Sequence, residues 1–443
     1  MRKTAVGPAL AISHRSVLAL ALPIMLSNVS TPLLGAVDTA VVGQIPDPAY
    51  IGAVALGSLV FTFVFWAFGF LRMGTTGLAA QALGAGDTEG VANCLGRSLL
   101  ISLAVGGALI LLQWPIREIA FALIDGSTRV EALARQYYDV RIWAAPATLA
   151  NYALLGWFIG RGRTDIGLVL QLFLNIVNML LDVFFVQGLG WDVRGVAAGT
   201  LIAEYCAAGI GVTIALRQVR SMGGHWSFAG LLDWVQLRRT LIVNGDIMVR
   251  SLALIFVMVW FMAQGAQQGD ERLAANAVLM QFISVSAYFL DGLAFAAEAL
   301  VGRAIGAAQR AGLIAAARLT SIWAVLVSAV LSLVLLLAGD GLIDLLSVDA
   351  GVRVAARIYL PWAALAPLAG VCAFQLDGIF IGATRTTDMR RAMLFSLLVF
   401  MLAWWLLRPW GNHGLWAALY VHYLARAVSL GWYFPGLVRS VPG

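Results

Sequence analysis

The chain is poor in the residues that most soluble catalysts rely on. Lys3 is the only lysine in 443 residues, charged residues make up 12%, and there are three cysteines. Soluble domains carry about 25% charged residues, so a water-soluble enzyme is excluded. Without a second lysine no Gly-x-x-x-x-Gly-Lys phosphate loop can be built, and neither His-Glu-x-x-His nor Gly-x-Ser-x-Gly occurs. Cys94, Cys206 and Cys372 are far apart, form no Cys-x-x-Cys, and read as small apolar fillers. No cleavable leader is seen, because the first apolar run, from Val17, does not end in a small-residue cleavage site. The net charge of +6 comes almost wholly from arginine and is not gathered into a basic surface, so no nucleic-acid partner is expected.

What is present is hydrocarbon. Apolar residues make up 61% of the chain, and the mean hydropathy is +0.87. Twelve apolar runs are long enough to cross a bilayer: 17–43, 51–81, 90–113, 133–160, 165–188, 194–219, 237–263, 271–302, 310–338, 352–382, 388–408 and 413–435. Turn signals separate them, among them Pro46-Asp-Pro48, Gly84-Ala-Gly-Asp87, Asp125-Gly126 and Gly188-Leu-Gly190. The pattern predicts an all-α polytopic membrane protein with twelve transmembrane helices in two six-helix bundles. The longest polar connection divides a first lobe, 1–220, from a second, 237–443, with a cytoplasmic linker over 221–236. Arginine and lysine set the orientation. The larger share, including Arg2, Lys3, Arg97, Arg161, Arg163, Arg238 and Arg239, falls on one side, which predicts both termini in the cytoplasm. The cluster Arg117–Arg135 dissents, though Glu118, Asp125 and Glu131 accompany it.

The halves repeat. Phe158-Ile-Gly-Arg-Gly-Arg-Thr164 matches Phe380-Ile-Gly-Ala-Thr-Arg-Thr386 at an offset of 222 residues. The same offset pairs Leu83-Gly-Ala85 with Ile305-Gly-Ala307, and Gly156 with Gly378. Six helices per unit start both units on the same membrane side, so the pseudo-two-fold axis runs along the membrane normal. The polar centres are not duplicated. Trp260 stands where the first half has Asp38, and Trp404 where it has Asp182; conversely Asp377 replaces Leu155, Asp291 replaces Gly69 and Glu298 replaces Thr76.

A carboxylate in hydrocarbon is costly and should face a partner, an ion or water. Asn175, Asn178 and Asp182 share one helical face, and Asp38 lies in another apolar run. These oxygens suit H⁺ or Na⁺, with Thr200 and Glu204 of the sixth run in position to complete the set. Two packing hydrogen-bond groups are the plainer alternative. Pro23 interrupts the first run and reads as a bend point or a static kink; Pro146 and Pro367 read as structural kinks. In the second half, Asp246 and Arg250 are spaced to neutralise each other. With Asp291, Glu298 and Asp377 they make a polar or acidic patch for a cationic substrate, a second proton site, or a salt-bridge network joining the seventh, eighth and tenth runs.

Several segments together resemble the multidrug and toxic compound extrusion (MATE) family, and within it the DinF branch. They are Leu22-Pro-Ile-Met with Val37-Asp-Thr-Ala-Val-Val-Gly, Phe70-Leu-Arg-Met-Gly-Thr-Thr-Gly, Asn244-Gly-Asp-Ile-Met-Val-Arg-Ser251, Leu290-Asp-Gly292 and Leu376-Asp-Gly-Ile-Phe-Ile-Gly-Ala-Thr384. The resemblance implies two six-helix lobes around a V-shaped cavity in a bacterial cytoplasmic membrane. It implies export of drug-like, often cationic or amphipathic compounds against inward H⁺ or Na⁺ by alternating access. The family's cation site falls on Asp38, Asn178, Asp182 and Thr200, and its helix-one proline on Pro23. No prosthetic cofactor and no obligate oligomer are expected, so the chain reads as a monomer. Two alternatives stay open at this point. A lipid-linked precursor flippase would need a strongly basic cavity, against few membrane arginines (Arg72, Arg141, Arg250, Arg426). An intramembrane aspartyl protease would pair Asp38 with Asp182 as acid and base.

Overall fold

A computed structural model of the chain describes residues 12–123 and 127–442. Arg2, Lys3, Asp125 and Gly126, used above, lie outside them. The described residues are nearly all helical and contain no strand. By internal contacts the chain divides into two compact units, one of residues 26–83 and 87–240, the other of 1–25, 84–86 and 241–443. The linker segment 221–236 belongs to the first of these, where Trp226 Nε1 donates to Ala92 O (2.8 Å) and Arg97 to Gly230 O (2.8 Å).

Helix α1, His14–Val42, runs on through Pro23 as one element, and the division between units falls inside it, after Met25. The predicted second run is two helices, α2 (Pro48–Ala67) and α3 (Phe70–Gly84), broken at Phe68-Gly69. Asp47 caps α2 by accepting from Ala49 N, with Pro48 in the first turn where its missing N–H costs nothing. α4 spans Thr88–Leu111 and α5 Gln113–Leu123. α5 was not anticipated; at eleven residues it is too short to cross hydrocarbon. The fourth run is likewise two helices, α6 (Thr128–Arg141) and α7 (Ala145–Gly160), joined by a 3₁₀ turn over Ile142–Ala144. Pro146 therefore opens α7 and does not kink a longer helix. α8 spans Thr164–Asp182 and passes into a π-helical turn, Val183–Gly188; α9 spans Val193–Ser221 and α10 Phe228–Leu231. Within this unit α4 packs on α7, α8 on α9, and α6 on both α2 and α9.

The second unit holds most of α11 (Trp234–Ala266), with α12 (Asp270–Gly306), α13 (Arg310–Leu346), α14 (Ala350–Gly382), α15 (Thr386–Leu407) and α16 (Gly411–Ser440). Here α12 packs on α13 and α14, and α16 on α14 and α15. Among the described residues, eleven apolar helical stretches are long enough to cross a membrane. The last, Thr386–Ser440, contains both α15 and α16, which fold back on each other across a 3₁₀ turn and a positive φ at Gly411. Counting these two separately gives the twelve crossings read from the sequence.

The repeat extends to individual atoms. A Cβ on Gly156 would lie 2.2 Å from Arg72 O, and one on Gly160 2.5 Å from Thr76 O. At the same offset, a Cβ on Gly378 would lie 2.4 Å from Ala294 O, and one on Gly382 2.4 Å from Glu298 O. Both halves thus bring two helices to backbone contact at matched glycines. The left-handed turns also match: Gly86 with Ala308, and Gly162 with Thr384, all at positive φ. Because a backbone cannot yield as a side-chain tip can, Gly378→Ala is expected to cost roughly 1–3 kcal/mol. Gly245→Ala, with nothing within 4 Å of its Cβ, should cost nothing. Ala308→Gly should gain about 1 kcal/mol by relieving the left-handed conformation. Thermal midpoints of the purified variants, measured side by side, check all three.

Candidate functional site

α1, α8 and α9 bring together the four residues singled out in the first half. Asn178 and Asp182, one turn apart near the end of α8, are fully buried, and Thr200 is 9% exposed. Asn178 Nδ2 donates to Thr200 Oγ1 (3.1 Å) and, at longer range, to Asp182 Oδ1 (3.4 Å). Thr200 is oriented by its own donation to Val196 O (3.0 Å), one turn back on α9. Asp38 comes in from α1, and its carboxyl lies within hydrogen-bonding reach of the Asp182 carboxyl. Two carboxyl groups this close in a buried site are stable only with a proton or a cation between them.

What the site leaves unused is as informative. Asn178 Oδ1, Asp182 Oδ2 and Asp38 Oδ1 are buried with no hydrogen-bond partner. Each is an acceptor, and buried acceptors normally find a donor. Three such oxygens fall within this one quartet. The Asp182 carboxyl fits against α9 at a glycine, since a Cβ on Gly199 would sit 2.1 Å from Asp182 Oδ1. The π turn begins at the residue after Asp182, and such turns recur at functional sites. Asn175 faces elsewhere: its Nδ2 donates to Ser30 Oγ (2.9 Å) on α1, and it accepts from Gln171 (2.9 Å).

Sequence reasoning missed the residues that surround the quartet. Arg141, the last residue of α6, is 8% exposed and acts electrostatically on Asp38. Its guanidinium lies over the rings of Phe61 (5.5 Å) and Phe65 (5.4 Å) on α2. These two aromatics are therefore buried and do not face lipid, unlike Phe63 and Trp66. Arg141 reaches Glu204 at 3.5 Å, while Asn151 donates to Glu204 Oε2 (2.6 Å). Glu204 is thus held by Arg141 and Asn151 and does not complete the quartet. Tyr137, one turn before Arg141, accepts from Ser58 Oγ (3.3 Å) and lies within electrostatic reach of Asp38 and Asp182. An arginine in an apolar run was the available signal, but only the tertiary fold brings it beside α1.

The equivalent positions of the second half are all aromatic. The offset of 222 carries Asp38, Asn178, Asp182 and Thr200 onto Trp260, Phe400, Trp404 and His422. The contacts are carried over too. Trp260 and Trp404 meet edge to face with centroids 5.3 Å apart, and Phe400 and His422 do so at 5.9 Å. The second half has kept the helix-to-helix contacts and exchanged their chemistry.

The charged residues of the second half form two separate groups. Asp246 does not neutralise Arg250, as their spacing suggested. It is taken by Arg390, Thr386 (3.1 Å) and Thr387 (2.7 Å) on α15. Arg250 turns instead to Asp377 on α14, which also receives Arg426 from α16. Glu298 on α12 is buried, while Asp291 on the same helix is partly exposed. Of the cysteines only Cys94 fills a core; Cys206 and Cys372 are exposed. Among the described residues no cluster of His, Cys, Asp and Glu has the makings of a conventional metal site.

Comparison with known proteins agrees with the fold. The MatE family model matches twice, over residues 23–184 and 247–406. The chain is 40% identical to DNA damage-inducible protein F of Escherichia coli K12, over 94% of this chain and 91% of the relative. It is 28% identical to a probable multidrug resistance protein NorM of a Synechococcus species, over 90% and 89%. Among solved structures, MATE in the bent conformation superposes with a TM-score of 0.87 at 18% identity, covering 96% of both chains. An outward-facing multidrug resistance MATE transporter gives 0.84 at 17%, covering 97% and 96%. The doubled family match, with the DinF relative spanning nearly the whole length of the chain, leaves no protease or soluble-enzyme reading standing: this integral membrane protein belongs to the MATE family of transporters, in its DinF branch.

Proposed function

We propose that the protein exports organic, often cationic or amphipathic compounds in exchange for H⁺ or Na⁺, with the ion taken up at Asp38, Asn178, Asp182 and Thr200. One observation carries this reading: two carboxyls within reach of each other, with three buried acceptor oxygens left without donors. Exchange requires that ion and substrate favour different states of the carrier. Filling the quartet changes the charge between α1 and α8. Pro23 deprives α1 of one backbone donor and lies two residues before the point where that helix passes from one unit to the other. It is therefore where we place the bend that follows ion uptake. No prosthetic group is needed.

We place the protein in a bacterial cytoplasmic membrane as a monomer, with both termini in the cytoplasm. The arginines of the dissenting basic cluster are paired with acids. Arg117 is bidentate to Asp139 (2.8 and 2.9 Å), and Arg135 binds Glu118 (2.7 Å) and Glu131 (3.0 Å). Arg135 and Arg117 hold the Glu118 carboxyl below its ordinary range.

The test is ethidium transport in proteoliposomes under a pH gradient without Na⁺, and under a Na⁺ gradient at equal pH. One gradient is expected to drive transport, which names the ion, and Asp38→Asn should abolish that response. Full gradient-dependent transport by Asp38→Asn would remove the quartet from the mechanism.

A further inference from the structure

The second unit contains a charge imbalance that the proposed exchange does not use. Arg250 on α11, Asp377 on α14 and Arg426 on α16 are 8%, 5% and 2% exposed. Both guanidiniums bond the same carboxylate oxygen, Asp377 Oδ2. The Nε atoms of both arginines are buried with no partner. Asp377 and Arg250 act electrostatically on Arg426, with the Tyr423 phenol beside them. Asp246, one turn from Arg250, is fully engaged by α15. His422, one turn before Arg426, directs Nδ1 at Ser396 O (3.2 Å) and brings no negative charge. Two fixed cations therefore share one anion inside a membrane helix bundle.

An unbalanced buried charge is more costly than a balanced pair. The repeat shows that this imbalance belongs to one half only. At the offset of 222, Arg426 stands where the first half has Glu204, Arg250 where it has Asn28, and Asp377 where it has Leu155. A pure helix clamp would need only one of the arginines. We propose that Arg250, Asp377 and Arg426 form a binding site for a single negative charge, a carboxylate group or a small inorganic anion. The unused Nε–H groups are its donors, since guanidinium forks match carboxylates. A surplus of one charge suits a monovalent group and not a pyrophosphate, which separates this site from the flippase alternative. It is also independent of ion coupling at Asp38 and Asp182.

The test uses full-length protein in nanodiscs, with dansylglycine as the carboxylate probe and its neutral amide as the control. Saturable fluorescence enhancement is expected with the acid and not with the amide. Displacement by chloride would make the natural ligand a small anion; resistance to chloride would make it an organic carboxylate. Arg250→Met removes the surplus and should weaken binding at least tenfold. Asp377→Asn raises the surplus to two and should tighten binding on the order of tenfold. Chloride should also raise the thermal midpoint of Asp377→Asn more than that of the wild type, as a ligand of the folded state does. A helix clamp predicts the reverse for Asp377→Asn: lower stability, no gain in affinity and no rescue by anions. That result, or equal response of the wild type to acid and amide, overturns the site. Should Arg250→Met not fold, the Asp377→Asn arm decides alone.

Discussion

Asp182→Asn is expected to reduce gradient-driven export to background without weakening the fold. A carboxylate about 4 Å from a unit cation at an effective dielectric near 20 contributes about 4 kcal/mol. Losing it lowers ion affinity roughly a thousandfold. The replacement amide has nearly the same shape, and a neutral group is cheaper than a charge to bury beside Asp38. Activity and stability should therefore move apart: no ion-driven ethidium transport, and an unchanged or higher thermal midpoint. A variant that fails because it unfolds would show the opposite stability change. A fully coupled Asp182→Asn would mean that the buried carboxyl serves packing alone.

Gly199→Ala is expected to have a comparable effect through a residue with no charge at all. The new methyl would fall 2.1 Å from Asp182 Oδ1 and 3.3 Å from its backbone N. Asp182 is fully enclosed, so the carboxyl can move only by giving up its place opposite Asp38. Transport should drop at least tenfold, with a stability cost of roughly 1–3 kcal/mol. Gly209→Ala on the same helix is the control, because its Cβ has nothing within 4 Å. It should keep full transport and gain a little stability, since alanine is the better helix former by roughly 1 kcal/mol. In the second half the position equivalent to Gly199 is Val421, where no carboxylate has to be accommodated. Wild-type transport by Gly199→Ala would show that the placement of Asp182 is immaterial.

The twelve crossings were legible because hydrocarbon leaves a long unbroken apolar signal. α5 was not, being short and carrying Arg117 and Glu118. The breaks at Phe68-Gly69 and Ile142–Ala144, and the π turn after Asp182, were hidden because the apolar run continues through them. The quartet could be picked out because duplication makes an unmatched acid visible and because its residues fit a known pattern. Its surroundings could not: Arg141 and Tyr137 arrive from another helix, and spacing along one helix says nothing about that. The spacing of Asp246 and Arg250 misled for a related reason. Helical neighbours four apart gain only about 0.5 kcal/mol from pairing, and each residue found a better partner on another helix. The matched glycines were visible as letters, but their purpose, backbone contact between helices, appears only in three dimensions.

The tryptophans, phenylalanine and histidine that mirror the quartet leave the proposed exchange a single ion-binding half. A cycle of the proposed exchange that takes up one monovalent ion has a fixed driving force. One charge falling through about 150 mV releases roughly 3.5 kcal/mol. That sustains a concentration ratio of at most a few hundredfold for an uncharged passenger, since each tenfold step consumes about 1.4 kcal/mol. One ion per stroke would thus give the proposed exchange modest clearance, and an accumulation ratio far above that ceiling would demand a second ion per cycle.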